Sequence, residues 1–480
     1  MKRAISLAVI SLLAAGTAGA ADLMSVYKDA LASDPTIRQA DAIRKATQQI
    51  KPEAWAALLP QITGQGTYTR GTTENSASTP QAITDANGET IGVTIFPNTQ
   101  TAHPKNRVWS INLTQNLFSW TKWSSLQVAD STVAQAEADY RTAEQALLQR
   151  VAQRYFGVLA AQDTLEAQQI ALEAFNRQLD QANKRFEVGL IAITDVQDSK
   201  AARDQSNAAV IEAKRALASA EEQLREVTGQ KYEQLSRPGA EMPLASPAPA
   251  DEQEWVNMAL DQNTQLLSSR LGSDIARENV RVAFGGHLPE INLVGAYGKG
   301  RNVGDATIGG LGTFDPYPSS NSQKTYGVQV QVPIFAGGGT QARVKEQQYR
   351  WIAAKEGVTA TSRATERATR DAYLGVISEM ARVEALKQAV QSSDTSLKAT
   401  EAGYEVGTRT SVDVLDQRRQ LVANQTTYLQ SRYTYLTNVV NLRQAAGTLD
   451  EKTLAELNAL LTESVRAAPT APNSPNTPAR

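Results

Sequence analysis

The chain has no cysteine and only two histidines, His103 and His287, which lie far apart. Without thiols it can build neither a disulfide framework nor a thiolate metal site. Two distant histidines, with no Walker-type glycine loop, leave no convergent set of catalytic groups. Gly337-Gly338-Gly339 reads as a strand-to-helix bend. The expected cofactors and metals are none, and an enzyme is not expected. Excess charge is missing too: 48 Lys and Arg stand against 50 Asp and Glu, so neither nucleic-acid steering nor a polybasic membrane patch is suggested. Beyond the first residues no apolar run approaches the ~20 residues of a spanning helix, so entry into a membrane would have to use strands. The chain does open with Lys2 and Arg3, an apolar run from Ala4 to Ala15 and Ala18-Gly19-Ala20, the layout of a cleavable signal peptide over 1–20.

The chain repeats itself. KRFEVGLIAITDVQD at 184–198 and GYEVGTRTSVDVLD at 403–416 share an aromatic-Glu-Val-Gly turn, then Asp-Val and a second Asp three residues after the first. Alone, each is a helix–helix turn, with Gly189 or Gly407 ending one helix and Thr194 or Ser411 capping the next. Tyr155/Tyr373, Gly157/Gly375, Phe186/Tyr404, Asp195/Asp413 and Gly229/Gly447 recur at one spacing. Earlier the pairs Ala30-Leu31/Ala259-Leu260, Trp55/Phe284 and Leu59-Pro60/Leu288-Pro289 recur at a slightly longer one, as a longer loop in the first copy requires. The reading is two repeats, 22–229 and 251–447, joined by a Pro-rich linker at 230–250 and followed by a segment at 448–465 and a disordered tail at 466–480.

Heptads run through the long segments. Val151, Val158, Leu165, Leu172, Leu179 and Phe186 make one seam, and Val376, Val383, Val390, Leu397 and Tyr404 the matching one. Trp120–Val188 contains no proline and would span about 100 Å as one helix. The return helices reach about half as far, as do the opening stretches 22–58 and 251–286. In the second return helix the seam is doubled, Val414-Leu415, Leu421-Val422, Tyr428-Leu429 and Tyr435-Leu436, so it needs neighbours on two sides.

Between opening and long helices the period changes to two. Ile62, Gly64, Gly66 and Tyr68 alternate with polar residues, and Trp109, Ile111, Leu113 and Leu117 with Ser110, Asn112, Thr114 and Asn116. Ile291, Leu293 and Tyr297, then Val328, Val330, Val332 and Ile334, repeat the pattern. Uncharged polar partners suit strands with lipid outside and water inside, and loops at 71–106 and 301–325 join each pair. Four strands cannot close a membrane barrel, and open edges in lipid would leave backbone groups unpaired. Several chains must share one barrel, eight strands from two or twelve from three. Trp109, Phe118, Trp120 and Trp123 suit a membrane-interface belt or core packing, and His287 reads as structural.

LLPQI at 58–62, VPIFAGG at 332–338, RFEVGLIAITDVQ at 185–197, EAGYEVGTRTSVDVLD at 401–416 and NVVNLRQAAGTL at 438–449 resemble the TolC family of outer membrane efflux and secretion channels over essentially the whole mature chain. The resemblance implies an α+β chain and a homotrimer. In it a twelve-stranded barrel in outer membrane lipid is continued by a coiled-coil helical tunnel into the periplasm, with an equatorial region at 230–250 and 448–465. It implies a passive exit duct for multidrug efflux and type I protein secretion, served by a periplasmic adaptor and an inner-membrane pump of RND, MFS or ABC type. It places Asp413 and Asp416 at the closed periplasmic aperture, as acidic rings that multivalent cations could block. Tyr404 and Arg409 match residues that latch the inner coil to the outer, with Thr194 and Asp195 as partners, and Gln178 and Glu401 match a further linking pair. Asp198 is expected to be a solvated charge. The competing reading is a trimeric outer-membrane-anchored adhesin without transport, against which the duplicated turns argue.

Overall fold

The computed structural model describes residues 20–239, 242–308, 312–314 and 318–466. The expected signal peptide, apart from Ala20, and the expected tail, apart from Arg466, lie outside the described residues. In chain order the elements are α1 (Leu23–Ser33), α2 (Pro35–Gln48), α3 (Ile50–Ala56), β1 (Gln61–Arg70), β2 (Thr73–Thr84), β3 (Thr90–Ser119), α4 (Trp120–Glu187), α5 (Ile193–Thr228), β4 (Gln234–Pro238), α6 (Glu252–Gln262), α7 (Thr264–Phe284), β5 (Glu290–Ile308), β6 (Gly312–Phe314), β7 (Ser319–Gln331), α8 (Gly339–Glu405), α9 (Ser411–Ala445), α10 (Glu451–Asn458) and β8 (Leu461–Arg466). The chain forms two compact units, one of Ala46–Ala134 with Leu271–Lys355, the other of the described residues up to Lys45, Gln135–Arg270 and those from Glu356 onward.

The opening stretches are broken helices, not single ones. α1 ends at Asp34 and α6 at Asn263, both in extended backbone, each N–H reaching back four residues, to the carbonyls of Ala30 and Ala259. Pro35 forces this in the first copy by excluding helical geometry at the residue before it. In the second copy Asn263 uses its side chain instead, accepting from the Leu266 N–H at 3.0 Å.

The helical unit has one main core. Leu147, Val151, Tyr155, Phe156 and Leu159 of α4 pack with Leu23 and Val26 of α1, Leu217 and Leu224 of α5, Leu436 and Val440 of α9, and Leu454 of α10. Tyr155 is fully buried, and its hydroxyl donates to the Ser236 carbonyl at 2.6 Å. β4 and β8 form a small antiparallel sheet, with Arg466 opposite Gln234 and Ala21 bridged in parallel to Leu235. The expected linker therefore contains a strand, and Arg466, expected in the tail, belongs to its partner.

The seam on α4 departs from the expected heptad. Val151, Val158 and Leu165 are buried, but further on Ala171, Phe175, Gln178 and Ala182 are buried while Leu172 and Leu179 are half-buried and Phe186 is exposed. The two stripes lie side by side on one helix. Small Ala171 and Ala182 permit close approach by neighbouring helices of the same chain; Leu172 still packs against the main core, while Leu179 is half-buried and Phe186 exposed.

The other unit carries an antiparallel sheet in the order β1, β3, β5, β7, with β2 extending β3 and β6 pairing with β5. Register builds its two faces. Ile62, Leu113, Gly295 and Tyr326 lie side by side, as do Gly64, Ile111 and Tyr297, and Leu293 and Val328. On the opposite face lie Thr63, Asn112, Ala296 and Thr325, then Gln65, Ser110, Gly298 and Gln323. Val332 and Ile334, expected to continue the last strand, fall beyond its end at Gln331 because Pro333 has no N–H for the ladder. The expected loop at 71–106 is largely strand instead. Its turn is built by Asp85, whose carboxylate accepts from the Asn87 and Glu89 N–H groups at 2.9 Å, and by Gly88 at φ +84.

Candidate functional site

The two turns singled out by the repeat close two helical hairpins, α4–α5 and α8–α9. Each first helix ends through a glycine in the left-handed region, Gly189 at φ +75 and Gly407 at φ +81. The N–H groups of Leu190 and Thr408 then return to the carbonyls of Arg185 and Gly403 at 2.9 and 2.8 Å, which satisfies carbonyls left open by the helix end.

The caps are not the expected ones. Ser411 and Thr194 lie inside their helices, and the N-cap positions are Thr410 and Ala192. Thr410 and Asp413 form a reciprocal capping box: the Thr410 hydroxyl accepts from the Asp413 N–H at 3.2 Å, and the Asp413 carboxylate accepts from the Thr410 N–H at 2.8 Å. That backbone bond, followed by the Thr410 hydroxyl, holds the Asp413 carboxyl below its ordinary value, with Arg409 adding a smaller pull. In the first copy Asp195 accepts from the Ala192 N–H at 3.3 Å, but Ala192 offers no hydroxyl in return. The first acid of each repeated Asp pair is thus a helix cap. The second is free to do something else: Asp416 pairs with Arg419 at 2.9 Å, and Asp198 is exposed.

Two apolar clusters organise the hairpins. Leu397, Val414 and Leu421, flanked by Val390 and Tyr404, hold α8 to α9. Ala171 and Phe175 of α4, Ala202 of α5 and Leu415 of α9, flanked by Val422, hold the second hairpin to the first. The doubled seam of α9 is thereby explained, since Val414 faces one neighbour and Leu415 the other.

Polar contacts follow the same division. Within the second hairpin Arg418 is ion-paired with Glu401, Ser396 donates to Gln417 at 3.0 Å and Asn424 donates to Ser393 at 2.6 Å. Between hairpins the Arg185 guanidinium lies 4.8 Å from the centre of the Tyr404 ring, a cation–π contact. Among the described residues no hydrogen bond joins Tyr404 or Arg409 to Thr194 or Asp195, and none joins Gln178 to Glu401. Gln178 is buried in the α4 stripe, and Thr194 and Arg409 are exposed. Arg185 and Arg418 were not picked out from the sequence. A signal for Arg418 existed, because Glu401 and Arg418 carry opposite charges and both lie within about two helical turns of the hairpin turn.

Nearer the small sheet, Asp163 of α4 is buried and accepts from the Tyr433 hydroxyl of α9 at 2.6 Å, with the Arg237 guanidinium 3.5 Å away. Burial raises the Asp163 carboxyl above its ordinary value, against the pull of Tyr433 and the arginines.

Near the tip the second hairpin meets the first through one apolar cluster and one aromatic–cation contact, farther from it α9 joins α4 through the main core and the Tyr433–Asp163 hydrogen bond, and Asp416 stands exposed at the tip. Comparison with known proteins places the chain. The family described as "Outer membrane efflux protein" matches residues 26–230 and 255–448. The chain is 36% identical over 464 residues to "Outer membrane protein TolC" of Escherichia coli (strain K12), covering 95% of this chain and 88% of that protein. It is 26% identical over 434 residues to "Alkaline protease secretion protein AprF" of Pseudomonas aeruginosa, covering 90% and 85%. The crystal structure of the outer membrane protein VceC from Vibrio cholerae superimposes with a TM-score of 0.68 at 20% identity, covering 88% of this chain and 96% of that one.

Proposed function

The chain belongs to the outer membrane efflux protein family, and from that premise we propose how its geometry makes a gated duct. It is an outer membrane channel protein for efflux and type I secretion with an α+β fold, and family membership implies work beside the other components of a tripartite pump. The relatives are channel proteins, and no reaction is proposed for it.

The observation that carries the reading is the open sheet. One face of β1, β3, β5 and β7 carries Ile62, Ile111, Leu113, Leu293, Tyr297, Tyr326 and Val328, with Arg107, Lys299, Arg301 and Lys324 further along it, and the other is mainly Thr, Asn, Gln, Ser, Ala and Gly. Among the described residues β1 pairs only with β3, and β7 only with β5. In lipid each unpaired backbone group costs several kcal/mol, roughly, so the free edges call for other copies. Three copies give twelve strands, a closed ring with lipid outside and water inside. The half-buried Leu179 and exposed Phe186 of α4 support neighbours for the helices as well. The two segments matched by the family support two repeats at 22–229 and 251–447, with 230–250 and 448–465 as an equatorial collar, and the helices reaching into the periplasm.

Asp416, exposed at the tip, with Asp413 one turn before it, would form acidic rings at the periplasmic constriction. The second hairpin is the moving part and the first its frame. Tyr404, Arg409, Thr194, Asp195, Gln178 and Glu401 make up the latch, with Arg185 holding the Tyr404 ring. A periplasmic adaptor driven by an inner-membrane pump of RND, MFS or ABC type opens it.

Single-channel conductance in a planar bilayer tests this, comparing wild type with Tyr404→Phe combined with Arg409→Ser. The expected result is a small cation-selective conductance that multivalent cations block and that the double change enlarges. A folded, assembled protein with no conductance would sink the duct, whereas a channel indifferent to the double change would leave the duct and remove the latch.

A further inference from the structure

Away from the helices, the apolar face of the sheet turns basic. Register sets Tyr68 of β1 beside Arg107 of β3 and Arg301 of β5, and one row nearer the helices it sets Trp109 beside Lys299. Lys324 of β7 stands opposite Tyr297, and one row beyond Arg107 stands the pair Arg70 and Lys105. Strand alternation puts all of these side chains on the face of Ile62, Ile111 and Leu293. The six cations are exposed. Ion pairs on the sheet join His103 to Asp305 at its far end and Lys122 to Glu290 at the helix end; among the described residues none of the six is ion-paired with a carboxylate. Like charges directly opposite destabilise a sheet. Here Arg70 faces Lys105 and Arg107 faces Arg301, and an anion shared within each pair would remove the repulsion.

Their position along the strands says what brings the anion. From Ile291 to Tyr297 the apolar rows of β5 run about 20 Å, comparable with the roughly 25 Å apolar band of a membrane barrel. Aromatic rings follow at its edge, as at a lipid–water interface. Trp109 and Tyr297 meet edge to face with centres 5.4 Å apart. The Arg107 guanidinium lies 5.5 Å from the Tyr68 ring centre and the Lys324 ammonium 5.6 Å from that of Tyr297. The cations therefore begin at headgroup level. We propose that this basic belt binds phosphate-bearing lipid headgroups in the leaflet away from the helices. Each phosphate is shared between facing cations, with arginine forks gripping its oxygens, and the apolar rows beneath hold the acyl chains, which a free phosphate ion lacks. This rests on the barrel proposed above, which sets that face in lipid.

The full-length assembly, purified in a nonionic detergent, is titrated with bis-phosphorylated lipid A, with the same lipid dephosphorylated, and with inorganic phosphate. Native mass spectrometry counts both the chains and the bound molecules. The belt predicts half-saturation by the phosphorylated lipid at a concentration lower by roughly tenfold or more than by the dephosphorylated one. Arg107→Gln combined with Arg301→Gln should remove most of that preference, whereas Lys200→Gln with Lys214→Gln, exposed on α5, should leave it unchanged. An assembly that binds both lipids equally, or whose preference survives the arginine change, overturns the belt and leaves the barrel standing. Inorganic phosphate binding as tightly as the lipid overturns the choice of lipid. If the arginine variant does not assemble, the wild-type comparison of the two lipids decides alone. A wild-type chain found only as a monomer removes the barrel and the belt with it.

Discussion

Leu415 and Val414 are neighbours in sequence, yet the division of α9 between two clusters assigns them different tasks. Leu415 is 2% exposed and packs against Ala171, Phe175 and Ala202 of the first hairpin, whereas Val414 is 1% exposed and packs within the second. Truncating a buried leucine to alanine costs roughly 2–5 kcal/mol. In a small cluster with alanine neighbours, about 2–3 kcal/mol is the appropriate range. If opening moves the second hairpin away from the first, that contact exists only in the closed state. Leu415→Ala should then shift the closed-to-open ratio by about 30-fold to 150-fold, at 1.4 kcal/mol per tenfold. Val414→Ala should lower thermal stability without favouring opening, because its partners move with it. Single-channel open probability, with sensitivity of whole cells to large antibiotics as a second readout, measures the difference. Equal effects of the two changes, or no effect of Leu415→Ala on opening despite a loss of thermal stability, would refute the idea that this cluster separates.

Other outcomes follow from contacts elsewhere in the helical unit. Arg185→Gln removes the cation over Tyr404, worth about 0.5–1 kcal/mol at an exposed site, and should raise open probability by only about twofold to fivefold, read in the same bilayer. Gly447 and Gly229 occupy equivalent places in the two repeats, with φ +75 and +69. A Cβ on Gly447 would stand 2.5 Å from the Gln262 carbonyl oxygen, whereas on Gly229 its nearest neighbour is Ser33 Cβ at 3.6 Å. Gly229→Ala should cost about 1–2 kcal/mol and Gly447→Ala distinctly more, about 3 kcal/mol or above, in thermal or protease challenge. Asp163, raised by burial, carries a cost in its charged form that is absent below its unfolded value and grows as pH rises through its folded one. Asp163→Asn should therefore gain melting temperature relative to wild type as pH rises from about 4 to about 7; parallel curves would show that its partners stabilise the charge fully.

Several features could be read from residues alone because they depend on local period or on duplication. The alternation in β1, β3, β5 and β7 specifies two chemically different faces, and lipid leaves four strands no way to close by themselves. The helices α4, α5, α8 and α9 follow from proline-free heptads, and the repeated turns mark the hairpin tips. The doubled seam of α9 stated that it had two neighbours. What needed the tertiary structure was the choice among partners competing for the same group. Asp413 reads in the sequence as a free acid, but an unsatisfied N–H at a helix start lies close to it, so it engages Thr410 in a cap, while Asp416 stays exposed. The 71–106 segment, rich in turn residues, became a ribbon because β3 offered an edge in register with β1. On α4 the sequence offered two adjacent stripes. Packing within one chain took the one with small Ala171 and Ala182, since close helix approach favours small side chains, and left Leu179 half-buried and Phe186 exposed.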